Sequence, residues 1–311
     1  MKPLPYTVPE RAKIRVIIST DAKNEADDQF AIAYAMMSPK LEVVGIVASH
    51  YYMATTWKES AHYTTDPEVA RQTMQNSYDE VERVLDAMDL TGACKVLHGA
   101  EYPLADEKTP RISEGAQFII DQAHTDGRPL YVINLGACTD MASAWLMDPT
   151  ISKGIAGVLW LGGTHFPKGG WEFNLANDIN AGNVLMDSDL PLWLLPNCST
   201  APLIIGYSEL FTKVKPYGKI GEYLTEEMIR CGKDDPGTKG ESWIMWDMAA
   251  VAVLLEGHGH MRYERNAPRF DEEMYYVEQS RPHNIIVYDR VEPRFTLEDF
   301  YCKLQLCFPK D

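Results

Sequence analysis

A chain of 311 residues, 45% hydrophobic and 24% charged, has the balance of a globular protein with a real core, in one large α/β domain or two small ones. Its formal net charge of −16 comes with no basic stripe. That argues against DNA, RNA or an anionic membrane surface as partner and favours a small neutral or cationic ligand, or a metal ion.

The first residues carry Pro3, Pro5 and Pro9 among scattered charges, not the apolar run of a signal peptide. No stretch is long enough to span a bilayer, and the six cysteines form no CxxC pair. A cytoplasmic protein with reduced thiols and no zinc site is expected.

Along the chain, short apolar runs alternate with helical patterns, which predicts βα units around a mostly parallel sheet. Strands are expected at Val16–Thr20, Val43–Ala48, Lys95–Leu97, Leu130–Asn134, Gly157–Leu161 and Leu192–Leu195. Most are apolar throughout, as a sheet covered on both faces requires. Helices are expected between them at Gln29–Met37, Glu68–Met88, Glu114–Ala123, Thr139–Met147 and Ile179–Met186. A later helix, Ser242–Glu256, is almost wholly apolar and should be buried. Two strand-like runs, Met274–Val277 and Asn284–Tyr288, precede a last helix at Leu297–Leu306. The segment Gly232–Gly240 reads as a mobile surface loop, a candidate lid. No repeat or linker interrupts the pattern, so a single domain over 1–311 is expected.

The segment richest in chemistry is Ile17–Phe30, IISTDAKNEADDQF. An apolar strand ends in Asp21, and a short loop leads to Asp27 and Asp28 at a helix start. Ligands of open α/β sheets bind beyond the carboxyl ends of the strands, and three carboxylates gathered there repel unless a cation or protons compensate. Hard divalent ions take such oxygen ligands. The plainer alternative is that Asp27 and Asp28 only complement the positive end of the helix dipole.

STDAKNEADDQFAIAYAM resembles the signature that opens nucleoside hydrolases of the inosine/uridine-preferring family, D-T-D-P-G-x-D-D, with two more loop residues before the DD pair. NLGACTDMASAWLMDP (Asn134–Pro149) is similar to the family's G-P-L-T-N-x-A segment, and VLWLGG (Val158–Gly163) to its V-L-M-G-G. WEFNLANDINAGNVLM (Trp171–Met186) is similar to its A-E-F-N-x-x-x-D-P-E-A-A, and WDMAAVAVLLE (Trp246–Glu256) to its H-D-P-L-A-V-A-x-L. Five segments in the family's order and spacing carry the resemblance.

It implies an open, mostly parallel sheet flanked by helices, a Rossmann-like nucleoside hydrolase fold, and a homo-oligomer, dimer or tetramer. It also implies Ca²⁺-dependent hydrolysis of the N-glycosidic bond of a ribonucleoside or related N-riboside. On this reading Asp21 binds the metal and is the general base for its water. Asp28 is a bidentate ligand, the Leu135 carbonyl another, and Asp247 completes the set. Asp27, Glu172 and Asn174 bind sugar hydroxyls, Leu161 lies under the ribose, and Asn24 is a further substrate contact.

The chemistry is consistent with that assignment. C–N cleavage passes through an oxocarbenium-like state that an anionic pocket stabilises, and a lone Asp247 in an apolar helix is costly to bury unless it is paired or ligates a metal. Glu172 and Asn174, taken alone, read first as solvated turn chemistry, while the flanking Trp171 and Phe173 suggest the wall of a pocket.

The leaving-group half departs from the family. Trp246 stands where many members have a His acid, leaving it either to stack on an aromatic base or to fill core. SHYY (Ser49–Tyr52) replaces a G-N turn, and TPRISEGAQFII (Thr109–Ile120) stands in for H-G-x-x-G-L. There Ser113 is expected to cap the following helix, with Arg111 and Glu114 as alternative pocket residues. His50, His165 and Glu241 are the candidate replacement acids. A phosphohydrolase is disfavoured because Lys23 occupies the place of its second Asp. The non-enzymatic alternative is a nucleoside- or sugar-binding protein with little turnover on the same scaffold.

Overall fold

The computed structural model describes residues 1–51, 66–234, 240–280 and 282–310. Its centre is an eight-stranded sheet. Six strands follow the predicted runs: β1 (Ile14–Thr20), β2 (Leu41–Ala48), β3 (Lys95–His98), β4 (Leu130–Asn134), β5 (Ile155–Leu161) and β6 (Leu192–Leu195). Two short strands, β7 (Ile204–Gly206) and β8 (Ser242–Ile244), pair antiparallel as a separate ribbon. β9 (Met261–Asn266) is an edge strand, β10 (Arg269–Phe270) and β11 (Tyr276–Val277) form another small ribbon, and β12 (Asn284–Arg290) rejoins the main sheet.

The order is β3-β2-β1-β4-β5-β6-β12-β9, parallel except where β9 runs antiparallel to β12. All seven residues of β1 are buried, as a central strand covered on both faces must be. Chain order reverses between β1 and β4, so their carboxyl ends open the crevice in which doubly wound sheets bind ligands.

Eleven helices are described. α1 (Asp28–Met36), α2 (Pro67–Ala87), α3 (Glu114–Ala123), α4 (Thr139–Met147) and α6 (Ile179–Asp187) match the predicted segments to within a residue at each end. Short helices α5 (Phe173–Asn177), α7 (Asn197–Thr200) and α8 (Tyr207–Glu209) link strands, and α9 (Gly218–Asp234), α10 (Met248–Leu255) and α11 (Pro293–Cys307) complete the set. One core face joins Phe30, Leu85, Val251 and Phe300 from α1, α2, α10 and α11. The other joins Ile119, Met141 and Leu185 from α3, α4 and α6.

Three expectations change. The apolar helix expected at Ser242–Glu256 is confined to α10, because Ser242–Ile244 pairs with β7; a solid apolar run satisfies either period, and backbone pairing decided it. Asp247 is therefore the residue before a helix, not one within it. The loop expected at Gly232–Gly240 begins as helix, since α9 continues through Asp234, while residues 235–239 lie outside the described residues. The strand expected at Met274–Val277 shrinks to β11, because Met274 adopts a positive φ of 66°. Among the described residues no helix is long and apolar enough to cross a membrane.

Candidate active site

β1 delivers Asp21 to the crevice. The chain turns at once, with the Asn24 N–H donating to the Asp21 carbonyl at 2.7 Å, and Asn24 itself is half-buried in that turn. The loop then places Asp27 and Asp28 at the first turn of α1. Asp21, Asp27 and Asp28 are each only 2% exposed, and Asp247 is 4% exposed.

Asp27 does not cap its own helix through its side chain. Its Oδ2 accepts from the backbone N–H of Asp247 at 3.1 Å instead. Asp28 accepts from the Thr20 hydroxyl. Carboxylate oxygens of Asp27, Asp28 and Asp247 lie within 4.8 Å of one another. A mere response to the helix dipole would leave such groups in solvent; here they are buried and convergent.

Asp21 stands beside this trio without meeting that distance to every member. Burial raises its pKa well above the ordinary value, and the Asp28 charge raises it further. Asp27 and Asp247 are raised well above theirs by burial, then by neighbouring carboxylates, with Glu25 and Asp28 the largest such neighbours respectively. Burial raises Asp28 as well, opposed by its bonds from Thr20 and Asp247. The Asp21 Oδ2 is buried with no hydrogen-bond partner. A buried acceptor left open among like charges is costly unless a cation or proton arrives. A hard divalent ion, which takes oxygen ligands from carboxylates, carbonyls and water, fits this donor set.

Gly136 lies against this site, at the end of β4. A Cβ there would come within 2.6 Å of the Asp21 Oδ1 and 2.8 Å of the Ser49 hydroxyl, so only glycine lets the backbone pass. The neighbouring Leu135 carbonyl accepts from the Asn174 side-chain amide at 2.5 Å. The same amide nitrogen reaches the Leu161 carbonyl at 3.0 Å, so Asn174 straps the ends of β4 and β5 together. A carbonyl has two lone pairs, and one at Leu135 is thus engaged.

Glu172 caps α5, accepting from Asn174 N–H at 3.0 Å and Leu175 N–H at 2.9 Å, and it also takes the Gly163 N–H at 2.9 Å. Burial pushes it up to about 7 despite those donors. The Leu161 side chain is 5% exposed and lies in the core that also holds Met245 and Met248, against which the half-buried Trp246 packs.

The structure thus brings Asp21, Asp27, Asp28, Asp247, Leu135 and Asn174 to one place. It gives Glu172 and Leu161 clear structural duties nearby. Of the candidate acids, His50 is fully buried with Nδ1 3.1 Å from the Ala100 carbonyl, and burial pushes it down to about 4. His165 and Glu241 are exposed. Ser113 caps α3 as expected, bonding the Ala116 N–H at 2.9 Å. Arg111 donates to the Pro103 carbonyl, and Glu114 turns to His98. Tyr52 lies outside the described residues. Thr20 and Gly136 were not among the expected residues; a hydroxyl before the strand-end Asp and a Gly after Leu135 are the signals that point to them.

A model of the inosine-uridine preferring nucleoside hydrolase family matches residues 16–292. The probable uridine nucleosidase 2 of Arabidopsis thaliana is 24% identical over 221 residues, covering 68% of this chain and 67% of that protein. The purine-preferring ribonucleoside hydrolase from Gardnerella vaginalis superposes with a TM-score of 0.75 at 19% identity, over 94% of this chain and 99% of that one. The type III effector protein XopQ, solved with adenosine diphosphate ribose, superposes with a TM-score of 0.67 at 13% identity, over 95% and 93%. With the family model spanning nearly the whole described sheet and the carboxylates gathered at its switch point, this chain belongs to the inosine-uridine preferring nucleoside hydrolase family and is a hydrolase of N-glycosidic bonds.

Proposed function

We propose that the chain hydrolyses a ribonucleoside or related N-riboside with one Ca²⁺ held by Asp21, Asp28, Asp247 and the Leu135 carbonyl. The observation that carries this reading is the unpartnered, buried Asp21 Oδ2 beside three convergent carboxylates. When bound, the ion offsets the carboxylate repulsion, orients vicinal sugar hydroxyls and makes water more acidic.

Asp21 takes the proton of the attacking water through a carboxylate oxygen that no protein group engages. Asp27 accepts a bond from a sugar hydroxyl with the oxygen not engaged by Asp247. Asn174 holds the two strand ends at a fixed spacing and so fixes the Leu135 carbonyl. Asn24, Leu161 and Glu172 bound the sugar side. The positive charge that develops on the ribose is stabilised by the anionic surroundings. Trp246 stacks on the departing base. The relatives are named for uridine in one case and purines in another, and the aromatic surface at Trp246 favours a purine or a cationic base here.

A second reading is a nucleoside- or sugar-binding protein with little turnover. It is favoured by Trp246 in the acid's place, and a protein of similar fold has been solved with adenosine diphosphate ribose. Reducing-sugar release from a panel of nucleosides, with and without chelator, together with calorimetric binding of the same nucleosides and of adenosine diphosphate ribose, separates the two. Release that chelator abolishes supports hydrolysis, and tight binding without release supports the second reading.

A further inference from the structure

The loop that carries Asp21, Asp27 and Asp28 has a second set of anchors, on its outer side. Glu80 on α2 is fully buried. Its carboxylate accepts from the Gln29 amide at 3.1 Å and from the Tyr223 hydroxyl on α9. It also pairs with Lys23 and Arg83, each at 2.9 Å. Lys23 reaches on to Glu227 of α9 at 2.9 Å, while Gln29 donates back to the Ala22 carbonyl at 2.6 Å. Lys23 and Ala22 lie between Asp21 and Asp27, in the loop that is longer than the family's common form. One buried carboxylate thereby joins the loop, α2 and α9.

We propose that Glu80 and Lys23 are positioning residues for the metal site: they clamp the longer loop so that Asp21 and Asp28 face Asp247. This inference rests on the metal reading above. A buried carboxylate is retained only when its partners are well placed, and Glu80 is satisfied from four side chains. Partners one step behind metal ligands orient those ligands. The carboxylates of Asp21, Asp27 and Asp28 repel one another, so an unrestrained loop would splay outward. Lys23, two residues after Asp21, opposes that by tying the loop to two helices at once.

The clamp and a plain electrostatic field make opposite predictions for one variant. Lys23→Met removes a positive charge near an acidic site, so a field effect alone would tighten cation binding. Loss of positioning weakens it.

The test is calorimetric titration of the chelator-stripped full chain with CaCl₂. Lys23→Met and Glu80→Gln are expected to lose about 10–100-fold in Ca²⁺ affinity, with Lys23→Arg restoring it. In chelator Lys23→Met is expected to melt below wild type, because buried Glu80 keeps Arg83 but loses its other cationic partner, so the titrations are run well below that transition. If Glu80→Gln does not fold, the Lys23 pair decides alone. Unchanged or tighter binding in Lys23→Met overturns the clamp while leaving the metal reading intact. Absence of any Ca²⁺ response in wild type overturns both.

Discussion

The backbone N–H of Asp247 donates to the Asp27 carboxylate at 3.1 Å, joining residues 220 positions apart. That bond fixes the start of α10 against the start of α1, and it brings the Asp247 side chain into the acidic cluster. The cluster is thus assembled by tertiary packing of two helix starts. Its cost in the metal-free state, four buried carboxylates with raised proton affinity, underlies the first two predictions.

Asp21→Asn should remove both a ligand and the base. The general-base contribution alone is typically about 10²–10⁴-fold in rate. The same substitution relieves like-charge repulsion, so in chelator the variant should melt above wild type. Turnover assays and calorimetry on one preparation check both halves. A variant with near-wild-type turnover would falsify the role of Asp21 in water activation.

Metal-free stability should rise on acidification from about pH 8 to 5.5. Burial pushes Glu172 to about 7 and Asp140 and Asp178 each to about 6, and the four clustered Asp are raised as well. A carboxyl raised in the folded state takes up a proton on folding. Its stabilising share is complete below its unfolded pKa and is lost as pH rises through the folded value. His50, held down at about 4 by burial, and His260, also lowered by burial, work the other way below their ordinary 6.5, two groups against several. With saturating Ca²⁺ the trend should flatten or reverse, because ligands must lose protons to bind. Melting temperatures across that range, in chelator and in Ca²⁺, give the answer. A steady fall on acidification in chelator counts against the raised carboxyls.

Glu172→Ala should destabilise by about 0.5–2 kcal/mol through loss of the α5 cap, with about 1–3 kcal/mol more if the Gly163 N–H is left unsatisfied. Because Asn174 heads that helix and straps β4 to β5, kcat should fall along with stability. A variant that loses stability while keeping both kcat and KM confines Glu172 to a structural role.

Much of this was readable in the chain, and the misses have physical causes. β1 and β4 each carry an unbroken apolar run, at 16–18 and 130–133, because helices cover both faces, so their signal is strong. β9, with Arg262, Glu264 and Arg265 on an exposed edge, lacks that signal and was not foreseen. α9 was missed too. Its sequence GKIGEYLTEEMIRCGKD carries a clear amphipathic period, but its three glycines are poor helix formers and weigh against a helix locally. The Asp-rich loop announced the site, since carboxylates at a strand end are unusual in local sequence. The Glu80 clamp and the Asn174 strap gave no local sign, being polar residues whose partners come from distant elements.

The last prediction concerns Trp246, in the place where many relatives carry an acid. The indole is half-buried and packs against the core that includes Met245 and Met248, directly before Asp247. It has no proton to give at a useful pKa, so the departing base must leave without one or take it from solvent. Stacking of aromatic pairs adds about 0.5–1.5 kcal/mol beyond area burial, roughly a tenfold effect, well short of a general acid's contribution. Trp246→Phe should therefore keep most activity and Trp246→Ala lose much of it. Inosine or a positively charged N-riboside should be cleaved faster than uridine. The proper readout is kcat/KM for all three substrates across wild type and both variants, with melting temperature as a control for core loss. If uridine is the best substrate, or if Trp246→Ala changes stability but not the ranking of substrates, then Trp246 is core and the acid lies elsewhere.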